Sequence, residues 1–283
     1  MAKHAQALGR VAMAAALVFA SFPARAWAWG KDGHRIVGQI AESHLTPAAR
    51  AAVDKLLGDG KHLSDDDVAN WADHIRGEFP ETGPWHYVDI PVEGDGKYDP
   101  ARDCKYSDCV IDRIERFREV LANKEAKFAE RQRALKFLVH FVGDLHQPLH
   151  CAERRDNAGK PDQGGNLCFV RFLDEPKQTN LHKVWDFQIL ERSMAGGDPL
   201  DFARKLDRST TAEKQAEWSR GRAKDWAAES FRLAVNSVYA GVAADGPRTT
   251  LDRDYVERGQ RVIDDQLARA GIRLAQILNE TLE

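Results

Sequence analysis

From Glu130 to Leu145 the apolar residues Leu135, Phe137, Leu138, Val139, Phe141, Val142 and Leu145 cover every side of a helix, and Pro148 follows to end it. A helix apolar all round is a buried helix. Inside it stand His140 and Asp144, four residues apart and so projecting from one face into a place where unpaired polar groups are costly. Any fold open to this chain must bring partners to that pair.

His182 and Asp186 repeat the spacing in Asn180-Leu181-His182-Lys183-Val184-Trp185-Asp186. One His-x-x-x-Asp pair is commonly a buried histidine bonded to a carboxylate, but two such pairs fit two-point metal ligation from helix faces. His146 and His150 follow the first pair, while Trp71-Ala72-Asp73 and Trp85-His86-Tyr87 each set a metal-competent residue beside an aromatic. Imidazole and carboxylate without thiolate suit zinc or another borderline divalent metal. A zinc protease of the His-Glu-x-x-His type is excluded, since the chain has no such segment.

The remaining sequence is mostly of helical period, without internal repeats or low-complexity linkers. Thr46-Pro47 opens a helix to about Leu57, Asp65 to Asp73 reads as a short helix, and Asp108 to Leu121 as another. Leu181 to Arg192 and Pro199 to Leu206 are further helices, followed by two long amphipathic ones, Thr211 to Tyr239 and Asp252 to Leu282. Tyr87 to Val92 and Phe169 to Leu173 are the strand signals and would make one small ribbon. The class expected is therefore all-α, a single mainly helical domain.

The start of the chain reads as a signal peptide. Lys3 and Arg10 precede the apolar run Val11 to Ala20, and Ala26-Trp27-Ala28 offers small residues at the two positions a signal peptidase reads. That run is too short to span a bilayer. Cleavage after Ala28 makes residues 29–283 the mature domain, exported to the periplasm or the medium, with no membrane anchor. Of 41 Lys+Arg and 44 Asp+Glu, three cations leave with the leader, so 255 residues carry a formal charge of −6. A chain this acidic gains no broad attraction for a polyanion, and any phosphate binding must come from a local cationic site. Export also puts Cys104, Cys109, Cys151 and Cys168 in an oxidising compartment. Of three possible pairings the local one, Cys104 with Cys109 and Cys151 with Cys168, closes two short loops. Neither half has the tight spacing of a cysteine zinc knuckle.

Taken in order, Trp29-Gly30-x-x-Gly33-His34, Trp71-Ala72-Asp73, Trp85-His86-Tyr87, His140-x-x-x-Asp144-x-His146-Gln147-Pro148-x-His150, Gly164-Gly165-Asn166 and His182-x-x-Trp185-Asp186 closely resemble the single-strand-specific zinc nucleases of fungi and plants. Those enzymes share an all-α fold and a trinuclear zinc cluster with bacterial zinc phospholipase C. The resemblance implies three Zn²⁺. Asp73, His86, His140 and Asp144 would hold the first, and His150, His182 and Asp186 a more exposed second. Trp29, through its freed α-amino nitrogen and carbonyl, would hold the third with His34, Asp144 bridging to the first.

What the resemblance implies for function is hydrolysis of single-stranded DNA and RNA to 5′-nucleotides by a metal-bridging hydroxide, with 3′-nucleotidase activity, in a monomer. Arg76 would stabilise charge on the phosphoryl group, Asp89 would orient the attacking water or act as base, and Asn166 would hydrogen-bond the phosphate. Tyr87 would stack on an unpaired base, its alternative being a core tyrosine. Arg154, Arg155 and Lys160 in the Cys151 to Gln163 loop would touch the nucleic-acid backbone. His44, His62 and His74 match no ligand position, His146 is expected to cap or pack near the cluster rather than bind metal, and Trp218 and Trp226 belong to the core. Two rival readings are phospholipase C chemistry, disfavoured by Asp186 where those lipases have Glu, and a zinc-binding periplasmic protein without turnover.

Overall fold

The computed structural model describes residues 29–245 and 248–283. The signal-peptide reading of residues 1–28 lies outside them. At the centre is the last helix, Arg253–Leu282, thirty residues long and capped by the Asp252 side chain, which accepts from the Tyr255 amide at 2.8 Å. Among the described residues, thirteen α-helices surround and include it. The first seven are α1 (Lys31–Ser43), α2 (Pro47–Leu57), α3 (Asp66–Ala69), α4 (Trp71–Ile75), α5 (Pro100–Asp103), α6 (Val110–Ala122) and α7 (Phe128–Leu145). Then come α8 (Leu181–Lys183), α9 (Ile189–Met194), α10 (Pro199–Ser209), α11 (Ala212–Trp218), α12 (Ala223–Leu233) and α13 (Arg253–Leu282). None of the described helices is long and apolar enough to cross a membrane.

α13 packs along α1, α2, α6, α7 and α9, and α6 lies against α7. Two glycines set how closely α13 is approached. A Cβ on Gly271 would stand 2.5 Å from the Ile40 side chain of α1, and one on Gly259 would stand 2.8 Å from Ile189 of α9. As the apolar pattern requires, α7 is buried through its last turns, with Leu135, Leu138, Val139, His140, Phe141, Val142, Asp144 and Leu145 at 0% exposure. Nothing polar there can rely on water.

Elsewhere the elements differ from the sequence reading in instructive ways. Asp65 to Asp73 is two short helices, α3 and α4, broken at Asn70, whose side chain donates to the Lys31 carbonyl at 3.2 Å. Thr211 to Tyr239 is not one helix. It breaks at Ser219–Arg222, where Gly221 takes φ +82 and the Trp226 indole donates to the Arg220 carbonyl, so both Trp218 and Trp226 reach the core from separate helices. The expected ribbon between Tyr87–Val92 and Phe169–Leu173 is absent. The former runs beside residues 150–153 (Val88 N–H to His150 O, 2.8 Å; Val92 N–H to Glu153 O, 2.9 Å). The latter, β1 (Phe169–Phe172), pairs antiparallel with β2 (Gln178–Asn180) and parallel with β3 (Thr250–Leu251). The class stands as mainly helical with one small three-stranded sheet.

Candidate metal centre

The geometry is built on the last two turns of α7. His140 donates its Nδ1 hydrogen to the Ala69 carbonyl at 2.8 Å, which turns Nε2 toward Asp144 Oδ2 at 3.4 Å and Asp73 Oδ2 at 3.7 Å. His86, at the end of a 3-10 turn (Pro80–His86), places Nδ1 2.9 Å from Asp144 Oδ2. His34 comes from α1, stacked on His140 with ring centroids 3.8 Å apart and Nε2 3.4 Å from Asp144 Oδ1. It fits because residue 143 is glycine: a Cβ there would lie 2.7 Å from His34 Nδ1. Trp29 is fully buried alongside, its indole donating to the Gly143 carbonyl at 2.8 Å.

A second group adjoins the first. His150 Nδ1 donates to the His86 carbonyl at 2.8 Å and His182 Nδ1 to the Gly164 carbonyl at 2.7 Å. Their Nε2 atoms then meet 3.3 Å apart, and His182 Nε2 lies 3.1 Å from Asp186 Oδ2. A carbonyl on one ring nitrogen fixes the tautomer and leaves the lone pair of the other to face a ligand. Asp186 sits in a π-helical turn (Val184–Gln188) joining α8 to α9, an irregularity common at functional sites. Its carbonyl accepts the Gly30 amide at 3.0 Å, which ties the segment after Trp29 to this group.

Those atoms fit a bound cation and little else. His34 Nδ1 and Nε2, His86 Nε2, His140 Nε2 and Asp144 Oδ1 are buried without a hydrogen-bond partner. Each such orphan costs about 1–3 kcal/mol if nothing compensates it. Among the described residues, three sets made only of His and Asp have ligand atoms within 4.8 Å of one another: His34, Asp73 and His140; His86, His140 and Asp144; His150, His182 and Asp186. Burial, reinforced by the neighbouring imidazoles, holds His34, His86 and His150 well below the ordinary histidine range, so their rings are neutral and carry free lone pairs. Burial and then the Asp73 charge push Asp144 well above the carboxylate range. A divalent ion among them would offset both penalties.

The cluster forms one wall of a cleft of about 500 Å³ whose lining includes Arg76, Tyr87, Asp89, His150, Asn166 and His182. Arg76 Nη1 lies 3.3 Å from Asp73 Oδ1, and the Asn166 amide donates to the Gln163 carbonyl at 2.9 Å. Tyr87 and Asp89 are half-buried. Asp89 is pushed up to about 7 by burial and by the charges of Glu153, Asp162 and Asp103. The nine expected metal ligands together with Arg76, Tyr87, Asp89 and Asn166 thus fall in or beside one site.

Other expectations are corrected. Cys104 and Cys109 form a disulfide, but Cys151 and Cys168 are separate buried thiols. Cys151 Sγ donates to the Leu145 carbonyl at 3.3 Å, and Cys168 Sγ accepts from Arg154 at 3.2 Å, so each sulfur is directed to its own partner. That same Arg154 is buried, donating to the Val242 carbonyl at 2.7 Å and lying over the Tyr239 ring; it braces the loop and is not open to a strand. Arg155 and Lys160 are exposed but do not line the cleft. His44 pairs with Asp207 and His62 with Glu42, while His146 is held between the Val142 carbonyl and Arg273. One functional position escaped the sequence reading. Gln147 donates to Asp186 Oδ1 at 2.6 Å and accepts from the Leu149 amide at 2.6 Å, bracing a carboxylate of the second group. Its only sequence signal was its place between His146 and Pro148.

The S1/P1 Nuclease family model matches residues 29–283. Nuclease S1 of Aspergillus oryzae is 32% identical over 276 residues, covering 89% of this chain and 91% of that protein. Endonuclease 4 of Arabidopsis thaliana is 33% identical over 279 residues, covering 89% and 88%. Nuclease P1 of Penicillium citrinum is 28% identical over 276 residues, covering 89% and 97%. The buried His and Asp clusters, the cleft above them and a match that runs from Trp29 to the last residue lead to one assignment: this chain belongs to the S1/P1 nuclease family.

Proposed function

We propose that this protein is an exported zinc-dependent nuclease that hydrolyses single-stranded DNA and RNA to 5′-nucleotides and removes 3′-phosphates. Its metal residues would be Trp29, His34, Asp73, His86, His140, Asp144, His150, His182 and Asp186, for three Zn²⁺. The observation that carries the reading is the set of buried, unpartnered imidazole and carboxylate atoms at the wall of an open cleft. Bound zinc would lower the pKa of water toward neutrality and neutralise charge on the phosphate.

The protein's own groups supply the rest. Arg76, oriented by Asp73, would donate to the phosphoryl oxygens through a planar fork. Asp89 would orient the attacking water and take its proton, and the Asn166 amide would donate to the phosphate. Tyr87 would stack on a base whose face is free, which favours unpaired strands because a base inside a duplex offers no such face. The test is elemental analysis of the purified protein together with hydrolysis of single-stranded and duplex DNA, with and without chelator. Three zincs per chain and chelator-sensitive cleavage of the single strand are expected; one zinc or none, or activity untouched by prolonged chelation, would reject the reading. Arg76→Ala and Asn166→Ala should keep the metal and cut hydrolysis by about 10²-fold or more. A metal-binding protein without turnover would show neither wild-type hydrolysis nor that loss.

A further inference from the structure

Away from the metal cleft, α12 and α13 enclose a groove of about 610 Å³. Arg258, Arg261 and Arg269 recur at helical spacing along one face of α13, and Arg232 faces them from α12. Two acids, Glu229 and Asp265, also line it and are already engaged. Glu229 accepts from Arg273 at 2.7 Å and Arg269 at 3.3 Å, and Asp265 pairs with Lys214 at 3.4 Å. Arg232, Arg258 and Arg261 are exposed and, among the described residues, form no ion pair or hydrogen bond. Three unpaired guanidinium groups thus share one groove of a chain whose formal charge is negative.

The groove backs onto the metal helix. Its buried Gln266 donates to the His146 carbonyl at 2.9 Å, and Ser230 beside it donates to the Leu145 carbonyl at 2.6 Å. The residues behind the groove thus hold the C-terminal end of α7, one to two residues past Asp144. The groove and the cleft share no lining residue, so a nucleotide seated in the cleft leaves the groove uncovered, whereas a longer strand has backbone to spare.

We propose that this groove binds the phosphodiester backbone of a single-stranded substrate outside the nucleotides held at the cleft, as a sequence-independent second contact. The inference rests on the nuclease reading. Guanidinium forks match phosphate oxygens, and neutralising three phosphates of a single strand gives a salt slope of about −2.

The test is the triple variant Arg232→Gln, Arg258→Gln and Arg261→Gln, made as holoenzyme, with kcat/KM measured on a dinucleotide and on a single strand of about 30 nucleotides. Between about 50 and about 200 mM salt, the wild type should lose roughly 20-fold more on the long strand than on the dinucleotide. The variant should match the wild type on the dinucleotide, fall on the order of tenfold on the long strand at the lower salt, and lose most of that extra salt dependence. Equal kinetics of variant and wild type on both substrates would overturn the groove and leave the nuclease reading intact. An equal fall on both would also overturn it, since the effect would then be structural. A variant that loses only binding to phosphatidylglycerol vesicles would make the groove a membrane contact and reject the proposal. A wild type that cleaves neither substrate would overturn the nuclease reading and this inference with it.

Discussion

The indole N–H of Trp29 donates to the carbonyl of Gly143 at 2.8 Å, so the residue expected to become the mature N-terminus is fastened to the helix that carries His140 and Asp144. His34, packed beside that contact, needs glycine at 143. Gly143→Ala would put a methyl 2.7 Å from His34 Nδ1 and 3.8 Å from Trp29 Cδ1, and His34 would have to move. The expected outcome is loss of one zinc per chain and about 10²-fold of activity, with helical content unchanged. Elemental analysis and circular dichroism check this; a variant with its full zinc complement and wild-type turnover would rule out His34 as a ligand.

The same anchoring makes the position of the chain start a chemical variable. A free amine at Trp29 has a lone pair, which an amide lacks, and its unperturbed pKa near ~8 is easily lowered by a metal. A form that keeps a few residues before Trp29 should fold, contain two zincs rather than three, and hydrolyse single-stranded DNA at least about 10²-fold more slowly than one beginning at Trp29. Equal zinc content and equal rates would remove Trp29 from the ligand set.

Gln147 offers a test of the second group. Its amide holds Asp186 Oδ1 at 2.6 Å while the other carboxylate oxygen faces His182. Gln147→Ala should weaken zinc binding at this group by about 10–100-fold, because supporting partners of metal ligands typically contribute that much. Competition with a graded series of chelators reads it directly. Gln147→Glu adds a negative charge beside Asp186 and should push that carboxyl, already raised by burial, higher still when zinc is withheld.

The fold and the site were legible in the sequence to different depths. α7, α2 and α13 were readable because a buried or amphipathic helix writes its period into the chain and because Thr46 and Asp252 cap where their types predict. α1 was not, since Gly33 and Gly38 dilute its pattern; those glycines exist for close approach, to Trp29 and to the Leu63 carbonyl, which only the folded chain reveals. The break at Gly221 was masked because Trp218 and Trp226, eight apart, keep helical phase across it. Arg154 shows the limit most clearly. An arginine in a long polar loop reads as a surface cation, and only the Val242 carbonyl and the Tyr239 ring, more than eighty residues away, make it a buried brace. Local pattern reports which residues share a helix face; long-range contacts decide what that face meets.

Asp89 should leave a signature of opposite sign in activity and in stability. Burial and then the Glu153, Asp162 and Asp103 charges push its carboxyl from the usual range up to about 7. If Asp89 works as a base, kcat/KM rises as pH climbs through that value, and Asp89→Asn should lose that limb and about 10²–10⁴-fold of rate. For folding the sign reverses. A carboxyl whose folded pKa lies above its unfolded value near ~4 adds stability that is full below about pH 4 and is lost as pH rises through about 7. The ionised group is then a burden on the native state at pH 8, and Asp89→Asn removes it. The variant should melt a few degrees higher than wild type at about pH 8 and match it more closely near about pH 5. Melting curves on the zinc-free proteins decide the stability sign, and pH–rate profiles on the zinc-loaded proteins decide the catalytic one, with the limb displaced to lower pH by the charge of the bound metal. A variant that is no more stable at the higher pH would separate Asp89 from the strain, and one that keeps the wild-type acidic limb would separate it from the chemistry.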